Sequence, residues 1–135
     1  MSEIITDKLT GKTTAKTVTV TVGASATQSL EQGLAKHWTN VDQTPSTPTI
    51  EDSFNNSSVT DSGTGDYSPV FVNNMSNANY AVALCCGDSG ARFHGDVVNK
   101  SSVTASTYRT YWVNTTNAAV NDNSIATTTV HGDLA

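Results

Sequence analysis

The sequence predicts an all-β protein, a β-sandwich or barrel-like domain with one short N-terminal helix and an extended N-terminal arm. Three observations point there. Of 135 residues, 22 are Thr, 15 Ser and 12 Asn; Thr suits a pleated sheet, while Ser and Asn suit turns. Short runs of period-two alternation recur along the chain with Gly, Pro or Asn clusters between them. Only 36% of residues are hydrophobic and 14% charged, so a thin core is expected beneath a Thr-rich solvent face, one that leans on oligomerisation. This is not the composition of a disordered chain, which carries high net charge and much Glu, Lys and Pro. The organisation expected is one domain over 1–135, with the arm over 1–15 and a β-rich body over 16–135.

The elements follow in order. Thr10-Gly11-Lys12-Thr13-Thr14 is polar and reads as extended arm. Lys16 to Val22 alternates Thr with Val18, Val20 and Val22, the cleanest strand pattern in the chain. Ser25-Ala26-Thr27-Gln28 has capping-box spacing, and Leu30 and Leu34 follow at helical spacing, with Gly33 weakening the helix. Trp38 and Val41 belong to the next strand, and Gln43 to Thr49, with Pro45 and Pro48, to a loop. Ser58 to Asp61 and Asp66 to Val72 flank Ser62-Gly63-Thr64-Gly65 and read as a hairpin. Pro69 marks its second strand as an edge or the site of a bulge. Tyr80, Val82 and Leu84 share one face of a further strand, and Thr107 to Val113 places Tyr108 and Trp112 opposite Tyr111. Ser124 to His131 closes the domain.

Composition also excludes functions. A net charge of −5 with seven dispersed basic residues argues against a protein built to grip nucleic acid, which needs clustered Lys and Arg. No run approaches the length of apolar sequence that spans a membrane, and the N-terminus lacks an export signal pattern. Cys85 and Cys86 are adjacent and read as reduced thiols on opposite faces of a strand.

Asp52-Ser53-Phe54-Asn55-Asn56-Ser57-Ser58-Val59-Thr60-Asp61-Ser62-Gly63-Thr64-Gly65-Asp66-Tyr67, followed by Phe71, Met75 and Ala78-Asn79-Tyr80, resembles a recurring element of tailed-bacteriophage virion proteins. Thr6 to Thr14 and Leu30 to Lys36 are similar to the same group, so the resemblance spans about residues 4 to 84. These are short tail-fibre-like or head-surface proteins, many from marine phages. The resemblance implies a β-rich, often trimeric, non-catalytic particle component found in the virion and assembled in the host cytoplasm. In physical terms Phe54 is expected to be an apolar anchor, and the Gly-Thr-Gly-Asp turn to supply backbone freedom.

The reactive groups in the chain have simpler readings. Gly87-Asp88-Ser89-Gly90 is similar to the nucleophile run of trypsin-like proteases, with His37 upstream as a base. The residues that follow depart from that pattern, and a turn after a strand accounts for the string. His94-Gly95-Asp96 and His131-Gly132-Asp133 form a repeated tripeptide, read as strand-end turns because ligand types without spacing are weak evidence for a metal. Neither cofactor nor metal is expected.

The leading expectation is therefore a trimeric capsid decoration or cement protein, partnered by itself and by the major capsid protein or other virion proteins. Neither a fibre shaft of repeats nor a coiled coil is present in the sequence. Candidate subunit or capsid contacts are Ile4, Ile5, Leu9, Leu30 and Leu34. The alternative is a tail-fibre or receptor-binding tip, with Trp38, Tyr108, Tyr111 and Trp112 stacking on host glycans.

Overall fold

The computed structural model describes residues 6, 8–9, 18–22, 25–87 and 93–135. Most of the arm, the boundary expected at residue 15, and Asp88-Ser89-Gly90 lie outside them. The described chain is dominated by antiparallel β-structure. Its contacts group into two units, Met1–Leu34 and Ala35–Ala135.

In the first unit, β1 (Thr19–Val22) pairs with β2 (Ala26–Ser29), Thr19 opposite Ser29 and Val22 opposite Ala26. Of the strand expected over Lys16 to Val22, Thr19–Val22 forms, with Lys16 and Thr17 outside the described residues, but the capping box does not form at Ser25 to Gln28. Those residues run into β2, where β1 supplies their backbone partners. The helix, α1 (Leu30–Gly33), is a single turn. Its cap is Ser29, whose hydroxyl oxygen accepts from Gln32 N at 3.3 Å. Gly33 ends it, and Leu34 is already extended at φ −95°, ψ 140°.

The second unit holds β3 (His37–Asp42), β4 (Thr49–Phe54), β5 (Asn56–Gly63), β6 (Asp66–Phe71), β7 (Ala81–Gly87), β8 (Phe93–Val97), β9 (Thr110–Asn114) and β10 (Ile125–His131). They form two four-stranded sheets, ordered β4-β3-β10-β7 and β5-β6-β9-β8. Both contribute to two buried clusters. One joins Val41 and Ala126 of the first sheet to Tyr67 and Trp112 of the second. The other joins Val130 of the first sheet to Phe71 of the second, with Met75 and Tyr108. Tyr67 and Trp112 stack with ring centroids 6.2 Å apart. Each such large side chain, fully buried, contributes roughly 1.5–3 kcal/mol of hydrophobic stabilisation.

Threonine does not stay on the solvent face. Thr39, Thr110 and Thr128 are buried, at inward positions of β3, β9 and β10. The composition looks poor in core residues because hydroxyls take core positions. Thr110 Oγ1 donates to Tyr67 O at 2.9 Å, and Thr128 Oγ1 meets the Tyr108 hydroxyl, so these two are hydrogen-bonded inside, while Thr39 Oγ1 meets no partner among the described residues.

The hairpin β5–β6 has the expected turn, with Gly63 at φ 125° and Gly65 at φ 64°. Pro69 is neither an edge residue nor a bulge. It lies in β6, between β5 and β9, and is fully buried. The register Asp66↔Tyr111 and Tyr67↔Thr110 resumes at Val70↔Thr107. Where the Pro69 N–H is missing, the Thr107 hydroxyl donates to Pro69 O at 2.6 Å and keeps the strands together. The register shifts of the hairpin fall elsewhere, at Asn56/Ser58 and Asp61/Gly63.

Phe54 is not an anchor. It is 52% exposed, because register sets it beside the outward Trp38, and Asn55, at φ 57°, turns the chain from β4 into β5 just after it. Asn tolerates that conformation better than most residues. Its amide ties the corner down, donating to Lys36 O (2.8 Å) and Asn73 O (3.0 Å) and accepting from Asn73 N (2.7 Å). His94-Gly95-Asp96 is likewise not a turn but the middle of β8. Gly95 lies against the Trp112 ring, where an added Cβ would stand 2.1 Å from a ring carbon.

Candidate functional site

The outward face of the sheet β4-β3-β10-β7 follows from alternation. Odd residues of β3 point inward, leaving Trp38 and Asn40 outside, and on β7 the exposed residues are Ala81, Ala83 and Cys85. Register then builds rows across four strands. Phe54, Trp38, Thr129 and Ala83 lie side by side, and Asp52, Asn40, Thr127 and Cys85 form the next row. Phe54 and Trp38, 52% and 36% exposed, are direct cross-strand partners. Ile125, 50% exposed, lies at the start of β10. The two rows carry one carboxylate, Asp52, and no basic residue.

The outward face of β5-β6-β9-β8 is different. Arg109 grips Asp66 through two nitrogens, Nε to Oδ1 at 2.8 Å and Nη2 to Oδ2 at 2.5 Å. Hydrogen bonding to Asp66, then its charge, raises the Arg109 pKa further. His94 Nε2 lies 3.0 Å from Asp96 Oδ2. Tyr111, 37% exposed, sits in register between Asp66 and Asp96. This face is polar and internally paired, whereas the first offers aromatic and small apolar groups that can be desolvated cheaply.

The proposed glycan platform does not assemble. Tyr108 and Trp112 are 0% exposed and offer no ring face to a ligand, because inward alternation on and beside β9 puts them in the core. Trp38 and Tyr111 are exposed but belong to different sheets. Among the proposed contact residues, Ile4 and Ile5 lie outside the described residues. Leu9 is 60% exposed. Leu30 and Leu34 do come together, lining a hollow of about 230 Å³ with Val20, Gln28, Ser29 and Gly33. That is below the usual size of a small-molecule site and suits one or two apolar side chains.

No family model matches the chain, and neither does any curated protein or solved structure. The site is therefore read from its own chemistry.

His37 is the one histidine upstream of Ser89. It is 0% exposed, with Phe71 edge-on at 4.9 Å and Tyr108 at 5.7 Å between ring centroids. Nδ1 faces the Tyr108 hydroxyl and Nε2 faces the Asn56 amide, each at 3.4 Å. Burial pushes its pKa down to about 4, with Asn56 opposing. When the Asn56 amide is turned to donate to Ser58 O and Val70 O, it presents N–H to the ring instead, and burial still sets the direction. The ring is a neutral core member with no route to a substrate. Burial also raises the Tyr108 and Tyr67 pKa values, keeping both hydroxyls protonated. Tyr67 donates to Ala126 O at 3.3 Å.

Cys85 is exposed and Cys86 half-buried, both as free thiols; burial and the neighbouring Cys85 raise the Cys86 pKa. Among the described residues no group of three or more His, Cys, Asp or Glu converges as a metal site, and no helix is long and apolar enough to cross a membrane. Sequence reasoning missed β4 and β8 and with them the Phe54–Trp38 pair. The signal available was the isolated Phe54 at the end of a six-residue run, two residues before the next strand begins.

Proposed function

We propose that this protein is a non-enzymatic structural subunit of a tailed-bacteriophage particle, an oligomeric decoration or cement protein of the outer head. In this reading the Phe54–Trp38 face docks on the capsid lattice. The observation that carries it is that cross-strand pair, two large rings held outward by a rigid sheet. Aromatic anchors on regular elements, flanked by small and hydroxylated residues, match the centre of a protein interface better than a free surface. The virion-like sequence motif begins at the same corner, with Phe54 and Asn55 its third and fourth residues.

The finer architecture belongs to the same reading. The two sheets share both core clusters and are inferred to form a β-sandwich. Orders β5-β6-β9-β8 and β7-β10-β3 have the strand adjacency of an immunoglobulin-type Greek key with its chain ends moved between the last two strands and β4 added at the edge.

The test is stoichiometry in purified particles together with Trp38→Ala and Phe54→Ala. Hundreds of copies per particle, and loss of incorporation by folded W38A/F54A protein, are expected. A count of a few to a few dozen copies would move the protein to the tail. There Trp38, beside Asn40 and Asp52 in the next row, is a ring placed to stack on a sugar. Absence from particles would remove both readings.

A further inference from the structure

The two four-stranded sheets have four edge strands, and three of them carry features that discourage pairing with another chain. β4 has Glu51 and Asp52 and a register shift against Asn40/Val41. β5 has Asp61 and two register shifts. β8 is five residues long, with His94, Gly95 and Asp96 at its centre. Charges, bulges and short length are the devices that blunt an edge.

The fourth edge has none of them. β7, Ala81-Val82-Ala83-Leu84-Cys85-Cys86-Gly87, keeps unbroken register with β10 over all seven residues, Ala81↔His131 to Gly87↔Ile125. It contains no charge and no proline. Its outward side chains are small, Ala81, Ala83 and Cys85, and all three are exposed. Although β8 follows it in sequence, no ladder joins the two. Among the described residues no backbone hydrogen bond reaches β7 from the side away from β10. A straight row of unused N–H and C=O groups accepts one kind of partner, an extended strand.

We infer that β7 pairs antiparallel with β7 of a second copy of this chain. Charge limits where two copies can meet. Residues 35–135 carry nine Asp or Glu against four Lys or Arg, so two copies repel across most of their surface. The β7 edge is a stretch where they meet without like charges opposed, and it offers an oppositely charged partner nothing to hold. The strand is also its own complement. A two-fold axis through Leu84 pairs all seven residues, places Ala83 opposite Cys85 of the second copy, and sets small residue against small residue. The result is one eight-stranded sheet with both Phe54–Trp38 pairs on the same side. The contact deepens the assembly reading proposed above and rests on it. Being two-fold, it links neighbouring oligomers rather than building the proposed trimer.

The experiment is sedimentation of the full chain at micromolar concentrations and above, with Ala83→Lys, Ala83→Ser, and Thr60→Lys on the β5 edge as a control. Self-association is expected for wild type, A83S and T60K, and A83K is expected to weaken it at least about tenfold, since each lysine stands opposite Cys85 of the other copy and diagonal to its own counterpart across the axis. Should A83K not fold, Ala83→Cys supplies the second measurement: mild oxidation gives covalent dimers through Cys85 of the other copy, where wild type gives none. A wild-type monomer at all concentrations, a folded A83K that associates normally, or A83C that yields no covalent dimer would overturn the β7 pairing. Association that survives A83K leaves the decoration reading intact and removes this contact alone, whereas particle stoichiometry tests the decoration reading independently.

Discussion

Gly95 shows how one missing atom sets the core. The Trp112 ring lies where its Cβ would be, at 2.1 Å from one ring carbon and 2.4 Å from another. The ring is fully buried and stacked on Tyr67, so it cannot give way without disturbing the cluster shared by the sheets. Gly95→Ala is expected to destabilise the fold by about 1–3 kcal/mol, the cost of overpacking a filled core, read as a lower urea midpoint at unchanged slope. Ala118 gives the opposite sign. It holds φ 56°, a region where a Cβ is strained, and it is exposed in the turn after β9. Ala118→Gly relieves that strain and is expected to be neutral or stabilising by up to about 1 kcal/mol, the gain being offset in part by the freer unfolded chain.

At the scale of elements, the junction between β4 and β5 is where the chain leaves one sheet for the other. Asn55 serves it twice, through a backbone conformation that Asn tolerates and through an amide bound to Lys36 O, Asn73 O and Asn73 N. Asn55→Ala loses both and is expected to cost about 2–4 kcal/mol, whereas Asn55→Gly keeps the conformation, loses only the bonds, and costs less. The order of the two melting temperatures checks the argument. This junction also marks the limit of what the sequence discloses. Alternation placed Tyr108 and Trp112 against Tyr111, gathered Tyr80, Val82 and Leu84 on one face, and put the β5–β6 turn at Gly63 to Gly65. In each case the side chains on one face differ in kind from those on the other. β4 and β8 escaped that test: Thr49-Ile50-Glu51-Asp52-Ser53-Phe54 has no apolar period, and β8 is interrupted by the glycine that Trp112 requires. Thr110 and Thr128 misled for a related reason. A hydroxyl with a neighbouring carbonyl or phenol to bond is at home in a core, and only the strand register reveals that neighbour.

For the whole second unit, the feature with the widest consequence is the neutral imidazole between its sheets. His37 of β3 faces Phe71 and Asn56 from the β5–β6 hairpin and Tyr108 from the chain entering β9, and Tyr108 in turn meets Thr128 of β10. None of these neighbours carries a charge that would hold a proton on the ring. The unfolded chain protonates His37 near 6.5, the folded protein near 4. Between those values the unfolded state binds more protons, so acidification favours it. The stabilisation from keeping His37 neutral is complete above about pH 6.5 and is lost as pH falls toward 4. The shift corresponds to about 3 kcal/mol. Urea titrations across pH 4 to 7 are expected to show stability falling with acid, and His37→Gln to flatten that fall, whatever its own stability at neutral pH. The two remaining described histidines, His94 and His131, are exposed and unchanged in the variant, so the difference between the two curves isolates His37. Parallel curves for wild type and H37Q would show that acid acts on the fold through other groups.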